Sequence, residues 1–312
     1  MKKKNQRCML MCAAGWMAVT TWFVIHSLFP NKYIFPSAYS RTPLIQSSDA
    51  AVTIHYFDVG NADATLIQFS DGQTLMIDSG YYETSDVILE DLSEAGVTQL
   101  DAVVITHQHA DHFGAMPEIL EEYPVTDLYM PAVPEDLIPT TDAFEILLES
   151  LDEEDISAID PVQGEIILSG EGYSVQVLSD ENITSSDLND YSIVLLVTVG
   201  NDSFLFMGDA GPISTNQIID QGYDVQSDVV RVSHHGSEDS TNQAWLDAVG
   251  AKVAIISCDA ENNSYGHPHQ ELLNLLTTNG LTVFRTDTDG SMTLTCDGEN
   301  FSIKAADGSV LY

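Results

Sequence analysis

The stretch "ITHQHADHFGA", Ile105 to Ala115, follows the apolar run "LDAVV" and brings His107, His109, Asp111 and His112 into one short span of chain. "LDAVVIT" reads as a buried strand, so the histidines stand at its C-terminal end, where loops on a rigid sheet edge build sites. The chain has 9 histidines in 312 residues and has concentrated them. Besides His26 and His55 they fall into three groups: His107, His109 and His112; His234 and His235; His267 and His269. His-x-His-x-Asp-His supplies neutral imidazoles and a hard carboxylate together, the mixture that zinc, manganese or iron accept. Strand alternation sends His107 and His109 to one side, while Asp111 and His112 begin the next helix and face a neighbouring position. Those directions suit two metal ions a few ångströms apart, with a carboxylate shared between them. Asp209 in "FLFMGDA" ends an apolar strand before a glycine-rich turn and is placed to bridge. Asp78 in "LMIDSG" sits similarly and is expected to orient the histidine loop from behind.

On the N-terminal side "VTIHYFDVG", "ATLIQFS" and "TLMIDSG" read as strands, with "SDG" turning the hairpin between the second and third. "SDVILEDLSEAGV" carries apolar residues at helical spacing and stops at Gly96. "GAMPEILEEY" and "AFEILLESLDEEDIS" are predicted helices on either side of a strand "VTDLYMP". The second half repeats the theme with "GEIILSG", "YSVQVLS", "SIVLLVTVG", "SFLFMGD", "DVVRVSHHGS" and "VAIISC", a helix "HQELLNLLTTNG", and strands "LTVFRT" and "SMTLTC". Two strand-rich halves with intervening helices predict an α/β (α+β) fold of two packed mixed sheets with helices outside.

Charge narrows the partners. The formal net charge is -38, and Lys2, Lys3, Lys4, Arg7, Lys32 and Arg41 all precede the first acidic residue, Asp49. All 48 acidic side chains therefore face only Arg231, Lys252, Arg285 and Lys304. Such a surface repels polyanions and disfavours nucleic acid, which needs a basic stripe to displace counterions. No feature points to a protein partner.

Residues 1–7, "MKKKNQR", form a basic tail, and residues 8–29 carry no ionised group over about the ~20 residues that span a bilayer. The positive-inside rule keeps the tail in the cytoplasm and places the rest outside, joined by a Pro/Ser linker over residues 30–50 to a domain over residues 51–312. The best cleavage site, Ala38-Tyr39-Ser40, lies far beyond the apolar run. The reading is thus an uncleaved single-pass signal anchor, with secretion after cleavage as the alternative. Cys258 and Cys296 lie in the outside domain, either as a disulfide or as two buried thiols.

With these residues in place, the chain resembles the metallo-β-lactamase superfamily, and within it the extracellular hydrolase domain of the ComEC competence (DNA-uptake) proteins and their stand-alone relatives. The resemblance runs in order through "FDVGNADATLIQ", "LMIDSG", "VVITHQHADHFGA", "NDYSIVLLV", "FLFMGDA", "DVVRVSHHGS", "AIIS", "NSYGHPHQELL" and "VFRTDTDGSMTL". It implies an αββα sandwich with a water-activating centre of two divalent ions along one edge, Zn2+ first and Mn2+ second. His107, His109, Asp111, His112, Asp209 and one of His234 and His235 are the implied ligands. His234, directly ending its strand, is preferred, which turns His235 toward substrate. The segment Tyr265 to His269 is implied to line the cleft, with His267 and His269 binding phosphate or protonating a leaving group; Asp111 is counted with these catalytic groups.

Two departures stand out. The chain has no histidine between His112 and His234, and carries "LNDYS" where many superfamily members place a third imidazole. Asn189 or water would complete that first site and leave its ion the weaker. "DVGNADA" stands where the family usually has Gln-Gly-Asp, yet Asp58 and Asp63 are kept as loop carboxylates. The activity expected is hydrolysis of a phosphodiester, small or polymeric. A competence-type DNA or RNA nuclease, a carboxylic ester or lactone hydrolase, and a non-catalytic module stabilised by metal are the alternatives.

Overall fold

Alternation along the strands decides how the layers meet. In the computed structural model, which describes residues 51–312, β1 (Val52–Tyr56) turns Val52, Ile54 and Tyr56 to one face, and all three enter a core shared with the other sheet. The basic tail, the apolar segment and the linker expected over residues 1–50 lie outside the described residues.

The first sheet has eight strands in the order β15 (Phe301–Ala305), β14 (Met292–Cys296), β1, β2 (Ala64–Phe69), β3 (Thr74–Ser79), β4 (Leu100–Val104), β5 (Val125–Tyr129) and β6 (Ala158–Ile159). The second has seven: β13 (Thr282–Arg285), β12 (Val253–Ile256), β11 (Val229–Arg231), β10 (Asp202–Phe206), β9 (Leu195–Val199), β8 (Tyr173–Val177) and β7 (Ile166–Gly170). Both are mixed. β3, β4 and β5 run parallel, as do β10 to β13, and the hairpin strands are antiparallel. Ile54, Tyr56, Ile67, Phe69 and Ile77 of one sheet are buried with Val175, Leu195, Val197, Phe204 and Phe206 of the other. Helices α1 (Ser85–Glu94), α2 (Ala110–Phe113), α3 (Met116–Glu122) and α4 (Asp142–Glu153) belong to the first half, and Ile88, Leu92, Ile119, Phe144 and Leu147 seal the outer face of its sheet. Helices α5 (Pro212–Asp220), α6 (Gln243–Val249) and α7 (Gln270–Thr278) do the same for the second sheet through Ile218, Trp245, Leu246, Leu272 and Leu276. A last turn, α8 (Thr286–Asp289), leads into β14. The result is the four-layer αββα arrangement expected.

Differences from the sequence reading have local causes. The helix predicted over "GAMPEILEEY" starts at Met116, after the separate short α2; at Gly114 between them an added Cβ would lie 2.5 Å from both the Ala110 carbonyl oxygen and the Tyr82 nitrogen. The backbone of Tyr81 and Tyr82 passes so close there that only glycine fits. The sequence reading leaves α5, α6 and β15 unassigned. α5 is rich in polar and β-branched residues and is announced only by Pro212 in its first turn, while α6 depends on the Asn242 side chain accepting from the Trp245 N–H and on Gly250 at φ 64. The disulfide alternative fails: Cys258 and Cys296 are both free and buried, the first facing Asp287 (3.5 Å) and the second Asp202 (3.2 Å). Burial pushes each thiol up to about 12. Among the described residues no helix is long and apolar enough to cross a membrane.

One histidine belongs to this scaffold. His55 is fully buried in β1, its Nε2 3.2 Å from Gln68 Oε1 and its Nδ1 3.2 Å from Thr293 Oγ1, a pairing that suits the neutral ring. Burial lowers its pKa from 6.5 to about 4, with the Gln68 bond opposing. The unfolded chain therefore takes up a proton as pH falls below 6.5 while the folded chain resists until about 4. Stability is expected to fall across that window by up to about 3 kcal/mol. Melting curves of His55→Gln should be flatter with pH than those of the parent; parallel curves would refute the buried neutral ring.

Candidate metal centre

The site forms where β3, β4, β10 and β11 end. Asp78, closing β3, takes a left-handed φ of 55 that aspartate tolerates better than most residues. From there its Oδ1 accepts the Thr106 N–H at 2.7 Å, and its Oδ2 accepts the Thr106 hydroxyl at 2.8 Å and lies 2.8 Å from His112 Nδ1. His112 is thereby turned with Nε2 forward, 3.4 Å from Asp209 Oδ1 and 4.0 Å from Asp111 Oδ2. His107 Nε2 stands 2.9 Å from His109 Nδ1 and 3.8 Å from Asp209 Oδ2. Behind it, His107 Nδ1 is 3.3 Å from the hydroxyls of both Thr106 and Ser192, and Ser192 also accepts the Asp209 N–H at 3.1 Å.

His235 Nδ1 lies 3.1 Å from the Ser257 carbonyl oxygen, which fixes the proton there and leaves Nε2 free, 3.3 Å from Asp111 Oδ2 and 3.8 Å from Asp209 Oδ2. His234 is one-third exposed, with Nε2 3.8 Å from Asp209 Oδ2. The preference for His234 over His235 is thus not reproduced by the geometry, which buries His235 in the cluster. The cause is backbone: the chain leaves the strand before the pair, and both histidines take φ 51. Ligand atoms of Asp63, His112, Asp209 and His235 all lie within 4.8 Å of one another.

The electrostatics are those of a cation site. Burial pulls the pKa of His112 down, but the carboxylates of Asp209, Asp78 and Asp111 outweigh it and hold the ring well above its ordinary value. Burial raises Asp209 and Asp111, but the imidazoles of His112 and His235 outweigh it and keep both carboxylates below theirs. His107 is pushed well below its ordinary value by burial and by His112, so it is neutral at pH 7, the form that binds metal. His112 Nε2 and Asp209 Oδ1 are buried and face each other without a hydrogen-bond partner. Buried polar atoms are normally paired, so two unpaired donor atoms in an acidic pocket fit divalent ions.

The remaining predicted residues separate into those at the mouth and those beneath. His267 is buried, stacks on exposed Tyr265 at 5.6 Å between ring centres and meets His234 edge-on at 5.2 Å. Burial and then the neighbouring His234, His235 and His269 lower its pKa to about 4. His269 is a correction: its Nδ1 accepts the Glu238 N–H at 3.0 Å and its Nε2 lies 3.1 Å from the Tyr265 carbonyl. Both nitrogens are committed to holding the loop before α7, which leaves none for substrate. Asn189 does not join the cluster through any hydrogen bond, and its buried Oδ1 has no partner. Asp58 is a turn carboxylate, accepting the Gly60 N–H at 3.4 Å; burial, with Asp259 and Asp287 nearby, pushes it up to about 6. Asp63 does more than close a turn: its N–H donates to the Asp111 carbonyl at 3.1 Å, and its Oδ2 is 3.8 Å from His112 Nδ1.

Arg231 is the residue the sequence reading missed. It is 3% exposed, pairs with Asp63, and donates from Nη1 to the carbonyls of Gly208 (3.2 Å) and Val232 (2.7 Å). One cation thus ties together the segments bearing Asp63, Asp209 and the histidine pair. The signal was available, since only four cationic side chains follow Asp49 and one of them lies in the middle of "DVVRVSHHGS".

Imidazoles and carboxylates from loops leaving one edge of a two-sheet sandwich, converging on a single shared aspartate, define a metal-dependent hydrolase centre. The family comparison agrees: the model of the metallo-beta-lactamase superfamily matches residues 57–260, and the chain belongs to that superfamily. It is 32% identical over 210 residues to ComE operon protein 3 of Bacillus subtilis, covering 66% of this chain and 26% of that protein. It is 25% identical over 254 residues to Competence protein ComA of Neisseria gonorrhoeae, covering 81% of this chain and 33% of that protein. The chain therefore spans a third or less of the length of these relatives. Among solved structures, CmlA, a diiron beta-hydroxylase from Streptomyces venezuelae, superposes with a TM-score of 0.51 at 17% identity over 79% of this chain and 54% of that one, a likeness of fold alone.

Proposed function

We propose that this chain is a metal-dependent phosphodiesterase, anchored by residues 8–29 with its catalytic domain outside the cytoplasmic membrane, or secreted if that segment is cleaved. The observation that carries the reading is the convergence of His107 Nε2, His112 Nε2 and His235 Nε2 on the two oxygens of buried Asp209, with His109 Nδ1 against His107 and Asp111 Oδ2 against His112 and His235. His107 and His109 would hold one ion and Asp111, His112 and His235 another, with Asp209 between; imidazole and carboxylate donors suit Zn2+ first and Mn2+ second. Bound ions would supply Lewis acidity that activates water and offsets charge on phosphoryl oxygens. The chain's own residues do the positioning. Asp78 and the Ser257 carbonyl fix the tautomers of His112 and His235, and Arg231 holds the loops together. His267, neutral at pH 7 and set against His234 and exposed Tyr265, would line the cleft without carrying a proton to deliver.

The acidic surface favours a small or wall-linked phosphodiester over a long polyanion. A competence-type nuclease is the second reading, favoured by the competence relatives. The test is made on the full-length chain: bound metal per chain, then turnover of bis(p-nitrophenyl) phosphate beside single- and double-stranded DNA, with His109→Ala as control. Two ions and a turnover that disappears in the variant are expected. A metal-loaded chain that leaves every phosphodiester intact would overturn the reading. DNA cleavage that falls steeply with salt would select the nuclease.

A further inference from the structure

We propose that His269 is a positioning residue that works as a proton-sensitive latch: its neutral ring fixes Tyr265 and the Glu238 loop as one wall of the mouth, and a second proton on the ring releases them. The effect on substrate rests on the phosphodiesterase reading above, and the latch itself does not. The tautomer follows from the partners. Nδ1 lies 3.0 Å from the Glu238 backbone nitrogen, which can only donate, so Nδ1 offers its lone pair. Nε2 lies 3.1 Å from the Tyr265 carbonyl oxygen, which can only accept, so Nε2 carries the proton. One neutral tautomer satisfies both contacts. A doubly protonated ring satisfies one, because a proton on Nδ1 would set two donors face to face. Protons therefore favour the open arrangement, so the latch holds at higher pH and is lost as pH falls.

What the ring joins is already stiff on one side. The Asn263 Oδ1 accepts the N–H groups of Tyr265 at 3.1 Å, Gly266 at 2.6 Å and His267 at 2.9 Å, which folds this stretch into one turn. Its base is pinned: the His269 N–H donates to the Gly236 carbonyl at 2.9 Å, and a Cβ added to Gly236 would lie 2.6 Å from that of Pro268. Beyond that base, the His269 ring connects the turn to Glu238 in the loop that follows the histidine pair. Tyr265 is 69% exposed and stacks on His267 at 5.6 Å between ring centres, and His267 in turn meets His234 edge-on at 5.2 Å. The latch thus sets a wall beside the metal centre without touching its ligands.

The groups around the latch do not compete with it for protons near neutrality. His267 meets the His269 ring edge-on at 5.0 Å, and burial with the neighbouring imidazoles lowers its pKa to about 4, so it stays neutral. Glu238 in the facing loop and Glu271 in the first turn of α7 are carboxylates, a type that titrates lower, and Tyr265 is a phenol, a type that titrates higher. Imidazole is the side chain that ordinarily changes charge between about pH 5 and 8.

The experiment follows amide hydrogen exchange at Glu238 in the full-length protein between about pH 8 and 5.5, with no substrate present and with the intrinsic effect of pH on exchange removed. In the parent, protection of that amide is expected to fall about fivefold or more as the pH drops, as a locally opened segment does. In His269→Ala and in His269→Gln, which keeps bulk but places no ring nitrogen at Glu238, protection should be low and independent of pH. KM for bis(p-nitrophenyl) phosphate should rise on acidification more steeply in the parent than in His269→Gln, while kcat, which follows the metal centre in both, falls in parallel. Parent protection that does not change with pH, or that changes equally in the variants, overturns the latch. KM curves that run parallel overturn its role as a wall for substrate. Exchange as expected in a chain that leaves phosphodiesters intact refutes the proposed reaction and not the latch. Should His269→Ala fail to fold, His269→Gln carries the comparison.

Discussion

Replacing Asp209 with asparagine is expected to lower kcat for bis(p-nitrophenyl) phosphate by about a thousandfold or more while the protein stays folded. The carboxylate is 2% exposed, with Oδ1 3.4 Å from His112 Nε2 and Oδ2 3.8 Å from Nε2 of His107, His234 and His235. Asparagine keeps the size but converts one oxygen into an NH2 group, a donor aimed at imidazole nitrogens that must themselves donate electron pairs to metal. On the proposed reading the carboxylate would serve both ions, and metal-ion stabilisation of a transition state is worth several kcal/mol, which at about 1.36 kcal/mol per decade gives the thousandfold. The backbone should hold, because the Asp209 N–H bonds Ser192 whatever the side chain is. Steady-state kinetics beside circular dichroism check it. A folded variant within about tenfold of the parent would show that Asp209 does not lie between the ions.

The fold was legible because its strands alternate. Val52, Ile54 and Tyr56 face the second sheet, and Ile67 and Phe69 of β2 do the same beside them, so the two-sheet sandwich follows from residue spacing. The convergence of His107, His109, Asp111, His112 and Asp209 was legible for a related reason. His107, His109, Asp111 and His112 follow the C-terminal end of β4 and Asp209 follows that of β10, and strand ends are where the loops that carry sites begin. What could not be read depends on backbone conformations that side-chain type does not announce. His234 and His235 both adopt a left-handed φ and both stand 3.8 Å from Asp209 Oδ2, and only Gly236 hints at a turn there. Asn189 was expected at the first site from its place in the sequence alone, and a single turn of 3-10 helix (Leu188–Tyr191) puts Ser192 beside His107 instead. His269 reads like its neighbour His267 until the Glu238 N–H and the Tyr265 carbonyl are seen to occupy it. Arg231 was not legible as a brace because its spacing does not announce Asp63 as a partner; burial lowers its pKa only to about 9 and leaves it charged beside Asp63.

The tautomer of His112 carries the second large effect. Asp78 meets three donors, the Thr106 N–H, the Thr106 hydroxyl and His112 Nδ1, and as a carboxylate it can accept from all of them. An asparagine there retains the backbone, since asparagine is as tolerant as aspartate of the φ of 55, whereas alanine would pay for that conformation as well. With its oxygen still accepting the Thr106 N–H, the amide turns its NH2 group toward His112 Nδ1. A donor facing Nδ1 favours the tautomer whose proton is on Nε2, the nitrogen that points at Asp209 and Asp111. That ring cannot bind metal through Nε2 without losing its proton and reversing the exchange. Asp78→Asn is therefore expected to weaken metal binding at the Asp111 and His112 site by about 10- to 100-fold, the usual range for a residue that orients a ligand, while binding through His107 and His109 changes less. Chelator competition measures the affinities, and the 15N chemical shifts of the His112 ring report the tautomer directly. Unchanged affinity with Nε2 unprotonated would mean that the 2.8 Å contact between Asp78 and His112 does not set the ring. A flipped tautomer with weakened binding would show that one buried carboxylate, two bonds removed from the ion, decides whether His112 can serve as a ligand at all.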